Sequence, residues 1–311
     1  MHNSNYNNNN EINSLEYNNE FNNYLFTDIL KIINTQQLHE KRINDIEKYM
    51  QQKLNYPILN INLLSTSLNI EKSNYKIIPS GLVNSNRISK DGIVFFGLEN
   101  VNFINDISFP ITEIINTTYI TNGSNNSDNI PQFYIFFNIL DESYYIKDIK
   151  KGIIFEKIND YYEINDNILI HIGNSYLVVC FDNKKLVLIL KVFNLISIRE
   201  KNNKNEKIKS NEFKIHNNQN TVIIIGRNAI NNNKNNNYCL NIDDLMLSRI
   251  QCCIIYNIKT NKLYIKDGEY ENNNSSTNGT WIYILGPKKI ENKFQFKANH
   301  SLFEINLSRN E

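Results

Sequence analysis

Short runs of β-branched and aromatic residues, separated by polar stretches rich in asparagine, recur along most of this chain. Before residue 182 these runs lie at 58–64, 93–96, 133–140, 144–149, 168–172 and 176–181. Runs of such length and composition, bounded by turn residues, are typical of β-strands. The sequence therefore predicts an all-β protein with two units, at residues 56–182 and 186–309, the second of which opens with a strand at 186–192.

The N-terminal part of the chain follows other patterns. Residues 1–24 are polar and rich in asparagine, a composition that predicts a disordered tail. Within residues 25–55, apolar side chains recur between charged ones at the spacing of an amphipathic helix or helical pair. The apolar face of this segment needs a partner. Packing on the following unit is favoured over a separate coiled-coil interface, because the periodic region is short.

Length and charge bound the class of protein. A chain of 311 residues suits two domains plus appendages. The 33 Lys+Arg and 32 Asp+Glu residues give a net charge of +1, which argues against a protein built to bind nucleic acid or an anionic membrane surface. The N-terminus lacks the pattern of a secretory signal, and no apolar run has the length of a membrane span. We therefore expect an intracellular protein, cytoplasmic or nuclear.

The sequence offers little for metal binding or catalysis. Its four cysteines, Cys180, Cys239, Cys252 and Cys253, lack metal-ligand spacing, and no Cys/His cluster is evident. Cys252 and Cys253 are expected to alternate across a strand. A glycine-rich phosphate loop and the residue orders of known hydrolases are also missing. We therefore expect no metal, no cofactor and no enzymatic activity.

Three polar segments beside strand-like runs carry the chemistry. They are Gly226-Arg227, Ser248-Arg249-Ile250-Gln251 and Ser276-Thr277-Asn278-Gly279-Thr280. Singly, Gly-Arg is normally a strand end and Asn-Gly a hairpin turn. Together they supply a cation and small hydroxyl donors on loops at one end of a sheet, which is what a phosphate group on threonine requires.

In order and spacing these segments resemble the forkhead-associated (FHA) domain, whose motifs are Gly-Arg, Ser-Arg-x-His and Ser-x-Asn-Gly-Thr. The resemblance covers roughly residues 186–307. It implies a two-sheet β-sandwich of the FHA/SMAD-like kind, which binds phosphothreonine peptides through loops at one end.

The resemblance also implies a role for each motif residue. Arg227 would hold the phosphate, Ser248 and Thr277 would donate hydrogen bonds to it, Asn278 would grip the peptide backbone, and Arg249 would add a backbone or phosphate contact. The residues expected to maintain the loops are Gly226, Gln251, Gly279 and Thr280.

This sequence departs from the family pattern at the histidine, which is Gln251 here. Glutamine can both donate and accept hydrogen bonds, so we expect the site to survive with a somewhat looser serine loop. Asparagine-rich insertions at 231–237 and 271–274 lengthen two loops of this unit and are expected to change peptide selectivity.

The first unit resembles the strand framework of an FHA domain as well, so the chain is predicted to be a tandem pair of β-sandwiches. Its binding motifs are different. Leu98 follows Gly97 where the phosphate arginine is expected, and Lys151-Gly152-Ile153 stands in place of Asn-Gly-Thr. We expect this copy to be degenerate. Arg87 and Lys90 are expected on a solvated loop rather than as substitutes for the missing arginine.

Two functions from different classes remain. The first is an adaptor or scaffold in intracellular signalling that binds a threonine-phosphorylated protein. The alternative is a structural protein-interaction module that binds without phosphate. No membrane and no direct nucleic-acid partner is expected, and the oligomeric state is open.

Overall fold

The structure is a computed structural model of the 311-residue chain. It describes residues 36–66, 73–87, 90–98, 105–109, 131–149, 154–165, 167–182, 184–194, 209–215, 220–229, 237–271, 274–298 and 301–310. The predicted tail at 1–24, the Lys151-Gly152-Ile153 segment and most of the 231–237 insertion lie outside these residues. The described residues form three sheets and one short N-terminal helix, which confirms the predicted all-β fold.

Helix α1 (Gln36–Gln52) packs on the first sandwich. Its Tyr49 ring lies 5.2 Å from that of Phe137. Its buried Arg42 donates from Nε to the Asp91 carbonyl oxygen at 2.6 Å and from Nη2 to the Phe137 carbonyl oxygen at 2.9 Å. The helix thereby satisfies two backbone carbonyl groups of the first sandwich. No helix among the described residues is long and apolar enough to cross a membrane.

The other regular elements among the described residues are strands. The strands are β1 (Pro57–Thr66), β2 (Asn74–Ile78), β3 (Gly81–Leu82), β4 (Ile93–Leu98), β5 (Ile107–Phe109), β6 (Phe133–Asn138), β7 (Ser143–Asp148), β8 (Ile154–Lys157), β9 (Tyr162–Ile164), β10 (Ile168–Ile172), β11 (Ser175–Asp182), β12 (Val187–Asn194), β13 (Lys209–Lys214), β14 (Thr221–Gly226), β15 (Asn237–Asn241), β16 (Cys252–Asn257), β17 (Lys262–Asp267), β18 (Thr280–Tyr283), β19 (Lys288–Lys289), β20 (Phe294–Ala298) and β21 (Ser301–Arg309).

Two 5-stranded sheets repeat one topology. Their orders are β5-β4-β6-β7-β19 and β15-β14-β16-β17-β9. In each, the first pair is parallel and the next two pairs are antiparallel: β4 pairs with β5 and β6, as β14 pairs with β15 and β16. The two 5-stranded sheets therefore share a strand framework.

The third sheet has 11 strands and joins the two halves of the molecule. Its centre is the antiparallel pair β8–β18, in which Glu156 lies opposite Ile282. Reading outward, β8 is followed by β20, β21, β1, β2 and β3, and β18 by β10, β11, β12 and β13. Equivalent strands of the two halves thus occupy equivalent places about the central pair.

The two hydrophobic cores do not follow the order of the strands along the chain. The first core combines residues from 49–154 with residues from 284–305, whereas the second core is built from residues between 158 and 282. Strands β9 to β11 therefore pack on the second core, and β19 to β21 pack on the first. We call this arrangement the strand exchange. The predicted boundary between the two sequence units, at 182 and 186, stays a prediction. The two hydrophobic cores divide the chain at other points.

Matching apolar patterns permit this exchange. Buried Ile170 and Ile172 in β10 correspond to buried Phe296 and Ala298 in β20, with the same alternation. The chain passes from one core to the other after β8 and again after β18. Equivalent hydrogen bonds of 3.0 Å lie at these two points, from Ile158 N to the Thr280 carbonyl oxygen and from Ile284 N to the Ile154 carbonyl oxygen. Because register depends on which face is apolar, the alternation in these strands does not distinguish the two cores.

Candidate functional site

Three loops meet at one end of the second sandwich, after β14, before β16 and between β17 and β18. Arg227 N donates to the Ser248 carbonyl oxygen at 3.0 Å. Thr277 N donates to Ser248 Oγ at 2.9 Å, and Ser248 Oγ donates to Thr277 Oγ1 at 3.3 Å. The structure therefore brings together the arginine, serine and threonine that the sequence singled out.

The Arg227 guanidinium is exposed and uses little of its hydrogen-bonding capacity. Its side chain donates one long hydrogen bond, 3.5 Å from Nη1 to the Leu245 carbonyl oxygen. Within the described residues no carboxylate forms an ion pair with it. An arginine with five donors and no anionic partner at a loop end can accept a phosphate group.

Gly226 permits the close approach of the first two loops. A Cβ added at this position would lie 2.1 Å from the Arg249 carbonyl oxygen, which no side chain tolerates. Gly279 has a φ of 71°, in the left-handed region that glycine enters without strain. The local backbone structure therefore accounts for glycine at both positions.

Gln251 links the serine loop to the Asn-Gly loop from a fully buried position. Its Oε1 accepts from Ser248 N at 3.1 Å. Its Nε2 donates to Ser276 Oγ at 2.7 Å and to the Gly279 carbonyl oxygen at 3.0 Å. The glutamine thus connects both loops from the place where the family has histidine.

Asp267, at the end of β17, was missed by the sequence reasoning. Its Oδ1 accepts from Ser276 Oγ at 2.7 Å and from Thr280 Oγ1 at 2.6 Å, and its Oδ2 accepts from Ser276 N at 2.9 Å. The carboxylate therefore anchors both ends of the Ser-Thr-Asn-Gly-Thr segment. The available signal was its place before Gly268 at a strand end, where aspartate commonly organises a turn.

Asp244 was also missed, and it connects the site to the exchanged strands. Its carboxylate accepts from Met246 N at 2.9 Å, from Asn174 N at 2.7 Å and from Ser175 Oγ at 2.8 Å. Asn174 and Ser175 lie at the β10–β11 hairpin, which comes from the first sequence unit. The serine loop is therefore held in place by both halves of the chain.

Asn278 and Arg249 are exposed beside these loops. Asn278 Nδ2 donates to the Met246 carbonyl oxygen at 2.7 Å, and its own carbonyl oxygen accepts from Trp281 Nε1 at 2.9 Å. The Arg249 side chain extends from the turn before β16 without a described ion pair.

The equivalent end of the first sandwich has different chemistry. Leu98 follows Gly97 at the end of β4, as Arg227 follows Gly226 at the end of β14. The prediction of a solvated Arg87 is wrong. This side chain is 14% exposed and forms ion pairs with Asp91 at 2.9 Å and with Asp106 at 3.0 Å. Its charge is already neutralised by buried carboxylates, so it does not replace the missing phosphate arginine.

The family model for the FHA domain matches residues 223–300, so this segment of the chain carries an FHA domain. FHA domains are recognition modules rather than catalytic ones. FHA domains are phosphopeptide-binding modules of protein–protein interaction. The match runs from β14 to just beyond β20, so it includes the crossing from the second sandwich to the first. No curated protein and no solved structure matched the chain.

Proposed function

We propose that this protein is an adaptor in intracellular signalling that binds threonine-phosphorylated partners through the loops of its C-terminal FHA domain. The cytoplasm and the nucleus both suit this role. The observation that carries the proposal is the exposed Arg227 on a loop whose backbone bonds to Ser248, the residue that is hydrogen-bonded to Thr277. Arg249 and Asn278 complete the proposed peptide-binding set. Neither a metal nor a cofactor has a part in it.

The hydroxyl pair supports the proposal through its chemistry. A phosphothreonine carries nearly two negative charges and three acceptor oxygens at neutral pH. In the unbound structure Ser248 Oγ donates to Thr277 Oγ1, with 3.3 Å between the two oxygens. Both hydroxyl groups can rotate and donate instead to a phosphate that enters between them and Arg227. Charge-assisted bonds of this kind are stronger than the neutral bond that they replace.

Replacing Arg227 tests the proposal directly. We expect Arg227→Ala in the full chain to weaken binding of phosphothreonine peptides by about 2–5 kcal/mol, because the charge partner of the phosphate is lost. Fluorescence anisotropy with a degenerate phosphothreonine peptide library and its unphosphorylated counterpart measures the effect. Arg309→Ala is the matched control, since Arg309 is an exposed arginine on β21, outside these loops.

Near-normal affinity in Arg227→Ala would remove this residue from the phosphate site. Equal affinity of the wild-type protein for phosphorylated and unphosphorylated peptides would instead support the alternative, a phosphate-independent interaction module.

A further inference from the structure

The outer face of the 11-stranded sheet carries aromatic residues at its centre. Successive side chains of a strand point to opposite faces of the sheet. Ile154 and Ile282 belong to the two cores, so Phe155 and Trp281, their neighbours on β8 and β18, face outward. Both outward rings are nevertheless buried, Phe155 at 4% and Trp281 at 2% exposure. Other side chains on this face must therefore cover them.

Two lysines contribute to this cover. Lys297 on β20 reaches across the sheet and places Nζ 4.3 Å from the centroid of the Trp281 ring. Lys157 on β8 lies directly opposite Trp281 in the β8–β18 pair. Both lysines thus lie on the outward face beside Trp281, Lys157 by its strand register and Lys297 by the position of its ammonium group.

Neither lysine forms an ion pair in the part of the chain that the structure describes. The Glu304 carboxylate on neighbouring β21 is bound by Gln295 Nε2 at 2.7 Å. Hydrogen bonds from Gln295 and Asn306, followed by the charges of Lys293 and Lys157, lower the pKa of Glu304, so this carboxylate offsets only part of the positive charge of the lysines. Burial, together with the charge of Lys157, lowers the pKa of Lys297 to about 8. An anion between the two ammonium groups would remove this repulsion.

The lysine pair adjoins the loop that is proposed to hold the peptide backbone. Trp281 Nε1 donates to the Asn278 carbonyl oxygen at 2.9 Å. A Cβ added at Gly279 would lie 3.2 Å from Lys157 Cε. A peptide that passes from Arg227 over Asn278 therefore continues onto the face where the lysines lie.

We propose that Lys157 and Lys297 form a second anion-binding subsite, which takes a carboxylate or a second phosphate group of the same phosphothreonine peptide. This inference rests on the proposed function and adds a preference for acidic or doubly phosphorylated ligands. An ammonium group acts as a point charge and suits both kinds of anion. Because Lys157 lies in the first sequence unit, the degenerate copy contributes to ligand choice.

The test uses the full chain and three series of phosphothreonine peptides. In each series one residue is scanned along both sides of the phosphothreonine, as alanine, glutamate or phosphoserine. We expect an acidic residue at one position to strengthen binding about threefold to tenfold over alanine. The glutamate and phosphoserine series distinguish a carboxylate ligand from a second phosphate.

Variants assign the preference to the lysines. In Lys157→Met and Lys297→Met the ratio of affinities for the acidic and alanine peptides should fall towards one. Lys191→Met should keep the wild-type ratio, since Lys191 is an exposed lysine on β12 of the same sheet. If Lys297→Met fails to fold because it packs on Trp281, Lys157→Met alone decides.

Failure of the lysine subsite and failure of the proposed function give different binding results. An acidic preference that persists in both lysine variants, or that is missing from the wild-type protein while alanine phosphopeptides bind, overturns the subsite and leaves the proposed function intact. If no phosphothreonine peptide binds the wild-type protein, the proposed function fails and the subsite falls with it.

Discussion

Gln251 supports the peptide site without facing solvent. Gln251→Ala removes the bonds to Ser248 N and to the Gly279 carbonyl oxygen, and leaves these groups without that partner in a buried setting. We expect the free energy of unfolding to fall by about 1–3 kcal/mol and phosphopeptide binding to weaken, because the two loops are no longer connected. Urea unfolding and peptide titration measure the two effects.

The first sandwich offers a matched control for this prediction. Gln132 is also buried, and Gln132 N donates to the Phe96 carbonyl oxygen at 2.8 Å, as Gln251 N donates to that of Ile225 at 2.7 Å. Gln132→Ala is expected to reduce stability while it leaves phosphopeptide affinity near normal. Equal losses of affinity in both variants would show that binding depends only on overall stability.

His171 makes stability depend on pH. Its ring stacks on Tyr176 with centroids 4.7 Å apart, and burial, followed by the nearby charge of Lys297, lowers its pKa from 6.5 to about 4. The folded state therefore favours the neutral ring. The stability that this preference contributes is complete above about pH 6.5 and is lost as the pH falls to about 4.

The expected loss between pH 7 and 4.5 is about 2–3 kcal/mol more in the wild-type protein than in His171→Gln. Urea unfolding of both proteins at the two pH values gives this difference, because the other titrating groups are common to both. Parallel losses in the two proteins would show that His171 titrates normally in the folded state.

At the scale of the element, strand positions followed from local composition. The predicted strands at 168–172 and 176–181 correspond to β10 (Ile168–Ile172) and β11 (Ser175–Asp182). The prediction at 133–140 runs too far. Strand β6 stops at Asn138, whose Oδ1 accepts from Leu140 N at 3.2 Å and thus forms a local turn in place of a further strand pair.

The functional site could be predicted only in part, because local sequence does not show contacts between distant loops. Motif residues such as Arg227 and Thr277 stand out because their motifs occur together, in the order and spacing of a known family. Asp267 had only the weak local signal of its place before Gly268 at a strand end. Asp244 bonds a hairpin that is distant in sequence, and nothing local distinguishes it from a solvated aspartate. The strand exchange was hidden for the opposite reason, since β10 and β20 present equivalent apolar faces and the pattern is the same for either pairing.

For the whole molecule, the strand exchange predicts which fragment folds. Residues 154–285 contain the entire second core, whereas residues 186–311 lack its contributions from β9, β10 and β11. We expect the 154–285 fragment to unfold cooperatively in urea, and the 186–311 fragment to lack a cooperative transition because a large share of its core is missing. Circular dichroism on both fragments measures this.

A cooperative 186–311 fragment beside an unfolded 154–285 fragment would contradict the exchange and favour two sequential sandwiches. The result also determines how binding is measured, since a 186–311 fragment also lacks the hairpin that Asp244 holds against the serine loop.

The pairing of Pro57 with Arg309 sets the order in which the chain can mature on the ribosome. Synthesis proceeds from the N-terminus, and domains generally fold as they emerge. Here the sandwich begun first cannot close until β20 and β21 have been translated, whereas the FHA loops have all their supporting strands once residue 283 is out. Such high contact order slows folding. A premature stop codon just before β20 would therefore leave the phosphopeptide loops with all their supporting strands, whereas the N-terminal sandwich would lack β20 and β21 and could not close.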